Sequence, residues 1–406
     1  MAVIVQKYGG SSVADADKIK KVALRAAASK KRGDHVVVVV SAMGDTTDNL
    51  ISLAHQISSQ PDERELDVLL STGELISSTL LAMALRELGE EAISLSGGQA
   101  GIKTDAIYSH ARILGIDPKR ILNELKRNKI VIVAGFQGIT DEMDVTTLGR
   151  GGSDTTAVAL AVSLGAERCE IYTDVDGVYT ADPRLVPKAQ KIDEIGYEEM
   201  LELASHGTKV THSRAIELGE MYKIPILVAS SFGDKPGTLI HGGIPMEVRN
   251  KVHGIAHDLN VAKITIIGVP DKPGIASVIF EALAKANVNV DTIVQNASIN
   301  RITDLTFTVA RADVAKAMKV IKPVAKSIGA SECISDVKLA KISIVGAGMQ
   351  TTPGYAGKMF HALYEAGINI ELITTSEIRI TCIVAEESVK YALLALHKDF
   401  EVEQTV

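Results

Sequence analysis

Five consecutive valines, Val36–Val40, constrain the fold more than any other feature of this chain. β-Branched side chains on both faces of a strand leave neither face for water, so the strand belongs in a sheet covered by helices on both sides, and such sheets are largely parallel. Four more short runs, Val3–Val5, Ile130–Ala134, Glu170–Tyr172 and Ile226–Ala229, recur between helical patterns. Between the first run and the valines, Ile19, Val22, Ala23 and Ala26 fall at helical spacing with Lys and Arg on the other face, completing a strand–helix–strand unit. The expected fold class is α/β, a parallel-rich sheet sandwiched by helices, with ligands at the carboxyl ends of its strands.

At 406 residues the chain exceeds one ordinary core, so two or three domains are expected. Aromatics are 4% with no Trp, and the formal charge is −7, which argues against base-stacking surfaces and a broad nucleic-acid footprint and for small-molecule partners. The three cysteines, Cys169, Cys333 and Cys382, lie far apart and are odd in number, which fits a reducing cytoplasm. Met1–Val5 runs directly into a strand pattern, and no signal peptide or membrane-spanning apolar run is expected. His206, His212, His241, His253 and His257 lack the spacing of a metal site, and solvated or core-edge roles are expected for them. Lys18, Lys20 and Lys21 read as a solvated helix face.

Turn residues collect at Gly233–Gly237 and Gly242–Pro245, and a new pattern starts at Ala262. Beyond it Lys263–Gly268 (KITIIG) is echoed by Lys341–Gly346 (KISIVG), Pro273-Gly274 by Pro353-Gly354, Phe280 by Phe360, and Ala286–Asn289 by Ala366–Asn369. Two related modules follow one another. Each reads strand, Pro-Gly loop, helix, turn, strand; Ile275, Val278, Ile279, Ala282 and Leu283 form the first helix's apolar stripe, and Ala356, Met359, Phe360 and Leu363 the second's. The expected divisions are 1–245, a linker or first strand at 246–262, and modules at 263–337 and 338–406.

Two glycine-rich turns carry candidate chemistry. In Lys7-Tyr-Gly-Gly-Ser-Ser12, after the first strand, paired glycines let backbone N–H groups approach a phosphate and Lys7 adds a positive charge. In Gly149–Thr156 (GRGGSDTT) the glycines shape an anion-binding turn around Arg150, with Ser153 or Asp154 as the cap of a helix over Ala157–Leu164. A third segment, Tyr172–Arg184, is dense in Asp, Thr and Gly but lacks the glutamate of a calcium loop; Thr173 and Asp174 at a strand end suit a nucleotide.

These turns, together with Val40-Ser-Ala-Met-Gly44, Ser71-Thr-Gly-Glu74, Ala134–Gly138 and Asp174–Pro183, resemble in order the motifs of the aspartate kinase family, and the repeats resemble its ferredoxin-like ACT modules. The likeness covers essentially the whole chain and looks like the monofunctional type, with Tyr8 where Phe is more usual. It implies an enzyme that moves the γ-phosphoryl of Mg-ATP to the β-carboxylate of L-aspartate, the first step toward lysine, threonine and methionine. It also implies roles. Lys7 would stabilise the transferring phosphoryl and Asp154 sit between the substrates. Tyr8, Gly9, Gly10, Ser11, Ser41, Thr173, Asp174, Tyr179, Asp182, Arg184 and Lys209 would hold ATP. Thr47, Glu74, Arg150, Gly151, Gly152 and Ser153 would bind aspartate, Arg150 on a carboxylate and Glu74 on the ammonium. In the ACT modules Asp271, Gly274, Ala276, Gln295, Asn296, Thr352, Asn369, Ile370, Thr375 and Ser376 would bind lysine or threonine, in a homo-oligomer joined through these modules. A separate regulatory chain starting near Met246 would resemble some members.

The chemistry agrees independently, since a carboxylate nucleophile ionises at a pKa of about 4 and needs no general base at neutral pH. A dinucleotide-binding dehydrogenase is disfavoured because Lys7-Tyr-Gly-Gly stands where Gly-x-Gly-x-x-Gly is required. Kinases of acetylglutamate, glutamate, uridylate or carbamate do not normally carry two such modules. A non-catalytic amino-acid sensor is disfavoured by the intact Lys7, Glu74, Arg150 and Asp154.

Overall fold

The computed structural model describes residues 2–208, 210–243, 252–296, 301–350 and 352–400. They fall into two compact units, 1–179 with 191–248 and 180–190 with 249–406. Lys209 and Met246 lie outside the described residues.

The first unit is built on an eight-stranded sheet whose centre is parallel. Val3–Tyr8 pairs on one side with His35–Val40, which continues to Ile130–Ala134 and Ala92–Leu95, and on the other with Arg168–Thr173, which continues to Ile226–Ser230. All five valines are fully buried, as a run with no polar alternation demands. On one face Tyr8, Val36, Val38, Val40, Ile130 and Ile132 pack with Ile19, Val22, Ala23 and Ala26 of the helix Ala16–Lys31 and with Leu81 and Leu85 of the helix Glu63–Glu87. The helix Gly152–Leu164 packs against the central strand.

By length and composition Glu63–Glu87 matches a membrane span, which corrects the reading that no apolar stretch is long enough. Its buried residues nevertheless include Asp67, Ser71, Glu74, Ser77 and Ser78, and it forms part of the unit's core. A four-stranded sheet, Ile113–Ile116, Ile102–Thr104, Gln137–Ile139 and Val145–Thr147, lies beside it.

Beneath the helix Ala16–Lys31 the central strands bury a polar cluster. Gln6 Nε2 donates to Glu170 Oε2 (2.8 Å) and Ser29 Oγ (2.9 Å), Tyr172 and Tyr8 hydroxyls donate to Glu170 and Gln6, and Arg168 donates to Glu170 Oε1 at 2.8 Å. A buried carboxylate is tolerable only because each oxygen is met by donors.

The second unit is one six-stranded antiparallel sheet, ordered Ile293–Gln295, Ile302–Val309, Gly254–Pro270, Glu332–Val345, Arg379–Ala385, Leu372–Thr375. The two repeats supply separate cores, one with Ile264, Phe307, Ile279 and Leu283, the other with Ile342, Cys382, Met359 and Leu363. The long strand Gly254–Pro270 serves both: its first residues, Gly254–Asp258, pair with Lys341–Val345, and Lys263–Ile267 pair with Glu332–Asp336. The second core also takes in Ala181 and Val186, and Thr180 is bonded to His397 (3.1 Å) and to the Ile255 amide (2.8 Å). The first helix's stripe is narrower than its spacing suggests, because Val278 is 48% exposed while Ile279 and Leu283 meet the sheet.

Removing the acid at the centre of the polar cluster, Glu170→Ala, takes the carboxylate partner from the buried Gln6 and Tyr172 and leaves the part-exposed Arg168 only Glu167. A loss of about 3 kcal/mol or more is expected, read as a lower melting temperature of the first unit by calorimetry.

Candidate active site

Parallel pairing delivers the carboxyl ends of the central strands to one edge, and short hydrogen bonds tie their loops together there. Ser41 N–H donates to Tyr8 O (3.1 Å), Gly135 to Val40 O (3.0 Å), Gly9 to Tyr172 O (3.3 Å) and Ser231 to Thr173 O (2.8 Å). Gly9 leads into a short turn, Gly10–Val13. A methyl group on Gly10 would stand 2.8 Å from Ala42 O, so only glycine lets the two loops close on each other.

Lys7 points to the face opposite the buried polar cluster, and its Nζ lies 2.6 Å from Asp154 Oδ1. Asp154 Oδ1 is buried, and the Lys7 ammonium is its one partner among the described residues. The helix carrying Asp154 begins at Gly152 rather than Ala157, and Ser153 and Asp154 are in its first turn rather than capping it. Its cap is Gly151, in the left-handed region at φ 74°. There a methyl group would stand 2.2 Å from the His212 ring. Ser153 abuts the end of Ile130–Ala134, where a methyl on Gly135 would lie 2.8 Å from Ser153 Oγ.

Glu74 is buried in the middle of its helix. Its Oε1 accepts from Ala42 N–H at 3.0 Å and its Oε2 has no partner. Burial pushes its pKa up to about 7, against the pull of the Ala42 amide. Thr47 stands half-buried in the first turn of the helix Thr46–Ile57, which follows the same loop. Arg150 is exposed and forms no ion pair among the described residues. A carboxylate with a bare oxygen and an unpaired guanidinium suit the two charged ends of an amino acid.

Thr173 and Asp174 close the strand Arg168–Thr173, the Thr173 hydroxyl donating to Asp174 Oδ1 at 3.1 Å. Tyr179 bridges to Lys191. Asp182 and Arg184 belong to the second unit and pair with each other at 2.7 Å; Ser11 is exposed on the Gly10–Val13 turn.

Sequence reasoning missed four residues. The His212 backbone N–H donates to Asp154 Oδ2 (3.2 Å), and among the described residues neither His212 Nδ1 nor the buried Thr211 hydroxyl has a hydrogen-bond partner; half-buried, this histidine takes the core-edge role of the two expected for it. Burial lowers the His212 pKa, with Asp154 opposing. Arg214 holds Leu148 O at 2.8 Å, and buried Asp67 accepts from Ser109 and Thr147 backbone N–H groups, fixing the approach to Gly149–Arg150. An acid inside the apolar run Leu66–Leu70 was the available signal for Asp67; the others had none.

In the second unit Gly274 and Gly354, both left-handed, cap the helices Ile275–Lys285 and Tyr355–Glu365 without side-chain hydrogen bonds. Asp271, Ala276 and Thr352 flank these starts. Gln295 and Thr375 end the two outermost strands, with Asn296 and Ser376 just beyond; Asn369 and Ile370 precede the second. Asn369 donates to Glu371 at 3.2 Å.

This sheet and its loops have counterparts among known proteins. A family model described as "Amino acid kinase family" matches residues 2–230, and an ACT domain model matches 264–323 and 342–400. The chain belongs to the amino acid kinase family. Within it the chain is an aspartokinase: it is 50% identical to the aspartokinase of Mycolicibacterium smegmatis over 98% of this chain and 96% of that one. It is also 50% identical to an aspartate kinase of Stutzerimonas stutzeri, over 99% and 98%. Among solved structures it resembles Escherichia coli aspartokinase III in complex with aspartate and ADP, with a TM-score of 0.84 and 25% identity over 98% of this chain and 100% of that one.

The raised pKa of Glu74 has two consequences. Ionising it in the folded state above its unfolded value of 4.5 costs stability, so the penalty grows from about pH 4.5 and is complete above pH 7, at about 3 kcal/mol. Glu74→Gln is therefore expected to raise the melting temperature at pH 8 and hardly at pH 5, while weakening aspartate binding; scanning calorimetry at the two pH values with an aspartate titration checks both.

Proposed function

We propose that the loops at the carboxyl edge of the first unit carry the γ-phosphoryl of ATP to the β-carboxylate of L-aspartate, giving 4-phospho-L-aspartate and ADP. The observation that carries this reading is the meeting of Lys7 with Asp154 beside the Gly9–Gly10 turn, with Glu74 held on the adjoining Ser41–Gly44 loop. Lys7 neutralises charge on the transferring phosphoryl, and backbone N–H groups of Gly9, Gly10 and Ser11 hold phosphate oxygens. Asp154 orients Lys7. Arg150, with Ser153 and the Gly151–Gly152 backbone, takes the aspartate carboxylate end, and Glu74 with Thr47 takes its ammonium. Tyr8, Ser41, Thr173, Asp174, Tyr179, Asp182, Arg184 and Lys209 are assigned to ATP.

The exposed carboxylate of aspartate is already ionised, so no residue need remove a proton, and alignment with charge stabilisation supplies the rate. Mg²⁺ arriving with ATP would supply positive charge at the phosphates. Among the described residues no group of three or more acids, cysteines or histidines could hold a metal, which suits an ion carried in on the nucleotide, and Asp154, the buried carboxylate that meets Lys7, would be the residue to hold it.

The ACT modules are assigned a regulatory role, with lysine or threonine as effector. A structure of Escherichia coli aspartokinase III in complex with lysine and aspartate supports this class of ligand. The free N–H groups after Gly274 and Gly354 suit an amino-acid carboxylate, and Gln295, Asn296, Asn369, Thr375 and Ser376 offer polar groups at strand edges for the rest. Tenfold inhibition requires the effector to favour the inactive arrangement by only about 1.4 kcal/mol.

Three measurements test these assignments. Lys7→Ala should lower kcat about a hundredfold or more with the fold intact by circular dichroism, a loss of about 3 kcal/mol of transition-state stabilisation; wild-type turnover would remove Lys7 from the chemistry. Arg150→Ala should raise KM for aspartate far more than for ATP, and equal rises would reject its role. Gln295→Ala or Ser376→Ala should relieve inhibition by lysine or threonine at unchanged uninhibited turnover, and indifference of the unaltered enzyme to both amino acids would refute feedback.

A further inference from the structure

The face of the sheet away from Lys7 holds a groove that the phosphoryl transfer does not use. It has a volume of about 660 Å³ and lies between the helix Ala16–Lys31 and the turn Phe232–Gly237. None of the residues assigned above to ATP or aspartate lines it.

Its floor is organised. The Tyr172 ring is nearly buried, and its hydroxyl is fixed by Glu170 at 3.0 Å. The Arg25 guanidinium lies 4.7 Å over that ring and is held there by the carbonyls of Ser230 (3.1 Å) and Gly233 (2.6 Å). A flat cationic platform on an aromatic ring is a stacking surface for a planar group. Each wall then exposes a large apolar side chain, Leu24 at 56% and Phe232 at 48%.

The charge of the groove opposes that of the chain. Lys21, Arg25, Arg32 and Lys235 line it against the single carboxylate of Asp234, while the whole chain carries a formal charge of −7. Lys235 pairs with Asp176 at 3.0 Å. Lys21 has no ion-pair partner among the described residues, and Arg32 is exposed and reaches only the Ser29 hydroxyl (2.8 Å). A solvated helix face explains the lysine and arginine alone; it does not explain their convergence on exposed Leu24 and Phe232 over a fixed Arg–Tyr stack.

We propose that this groove is a second ligand site, taking an organic anion with a flat apolar body. Carboxylate or phosphate groups meet Lys21 and Arg32, and the body lies on the Arg25–Tyr172 stack between Leu24 and Phe232. The site shares a wall with the phosphate loop: Ser231 lines the groove, accepts from Ser12 Oγ (2.8 Å) and donates to Thr173 O (2.9 Å).

The test uses the full chain and the aromatic sulfonate 8-anilinonaphthalene-1-sulfonate as probe, followed by its fluorescence. Saturable binding is expected that excess Mg-ATP and aspartate do not displace. The double variant Lys21→Glu, Arg32→Glu should bind the probe more weakly by about tenfold or more, with aspartate phosphorylation within about twofold of the unaltered enzyme. Phe232→Asp, a change at an exposed turn, gives an independent variant with the same expected loss. Unchanged affinity in both variants would overturn the proposal, and so would displacement by Mg-ATP, which would make the groove part of the nucleotide site.

Discussion

The rest of the kinase unit depends on the parallel register of Val3–Tyr8 between His35–Val40 and Arg168–Thr173. Because the three strands run the same way, their carboxyl ends finish together, and the loops that follow them must share one edge. Alternation along the strand then assigns two environments: Lys7 faces Asp154, while Gln6 and Tyr8 face Glu170 and Ser29. A slip of one residue would exchange these sets, placing Lys7 in the buried cluster and a glutamine opposite Asp154.

Buried charge recurs throughout this unit, and its treatment differs by place. Glu170 and Asp67 have donors on both oxygens and serve architecture. Among the described residues Glu74 Oε2 has no hydrogen-bond partner, while Asp154 Oδ1 meets only the Lys7 ammonium, at 2.6 Å. A bare atom such as Glu74 Oε2 costs stability in the free protein, and a ligand that supplies the missing donor recovers it. That difference in partners sets Glu170 and Asp67 apart from Glu74 and Asp154.

The regulatory unit shows how duplication is turned into a continuous structure. Each repeat closes its own core, yet one strand, Gly254–Pro270, runs through both halves of the sheet. The segment Thr180–Gln190, bracketed by residues of the kinase unit at Tyr179 and Lys191, contributes Ala181 and Val186 to the second core. The chain thus passes between its two units more than once, although its repeats follow each other simply in sequence.

Much of this was legible in the residues themselves. Val36–Val40 implied a doubly covered parallel sheet, the echo of Lys263–Gly268 at Lys341–Gly346 implied paired modules, and the glycine-rich turns pointed to anions, because these signals are local and depend on strand and helix periods. Tertiary structure alone decided the rest. It set Gln6 against Glu170, 164 residues away in the chain, brought His212 to Asp154, and raised Glu74 by surrounding it with protein. It also started the helix at Gly152, where Gly151 adopts a left-handed turn against the His212 ring. Periodicity states which face of an element is apolar. Which elements become neighbours depends on strand order and on packing between distant segments, and no local pattern records that.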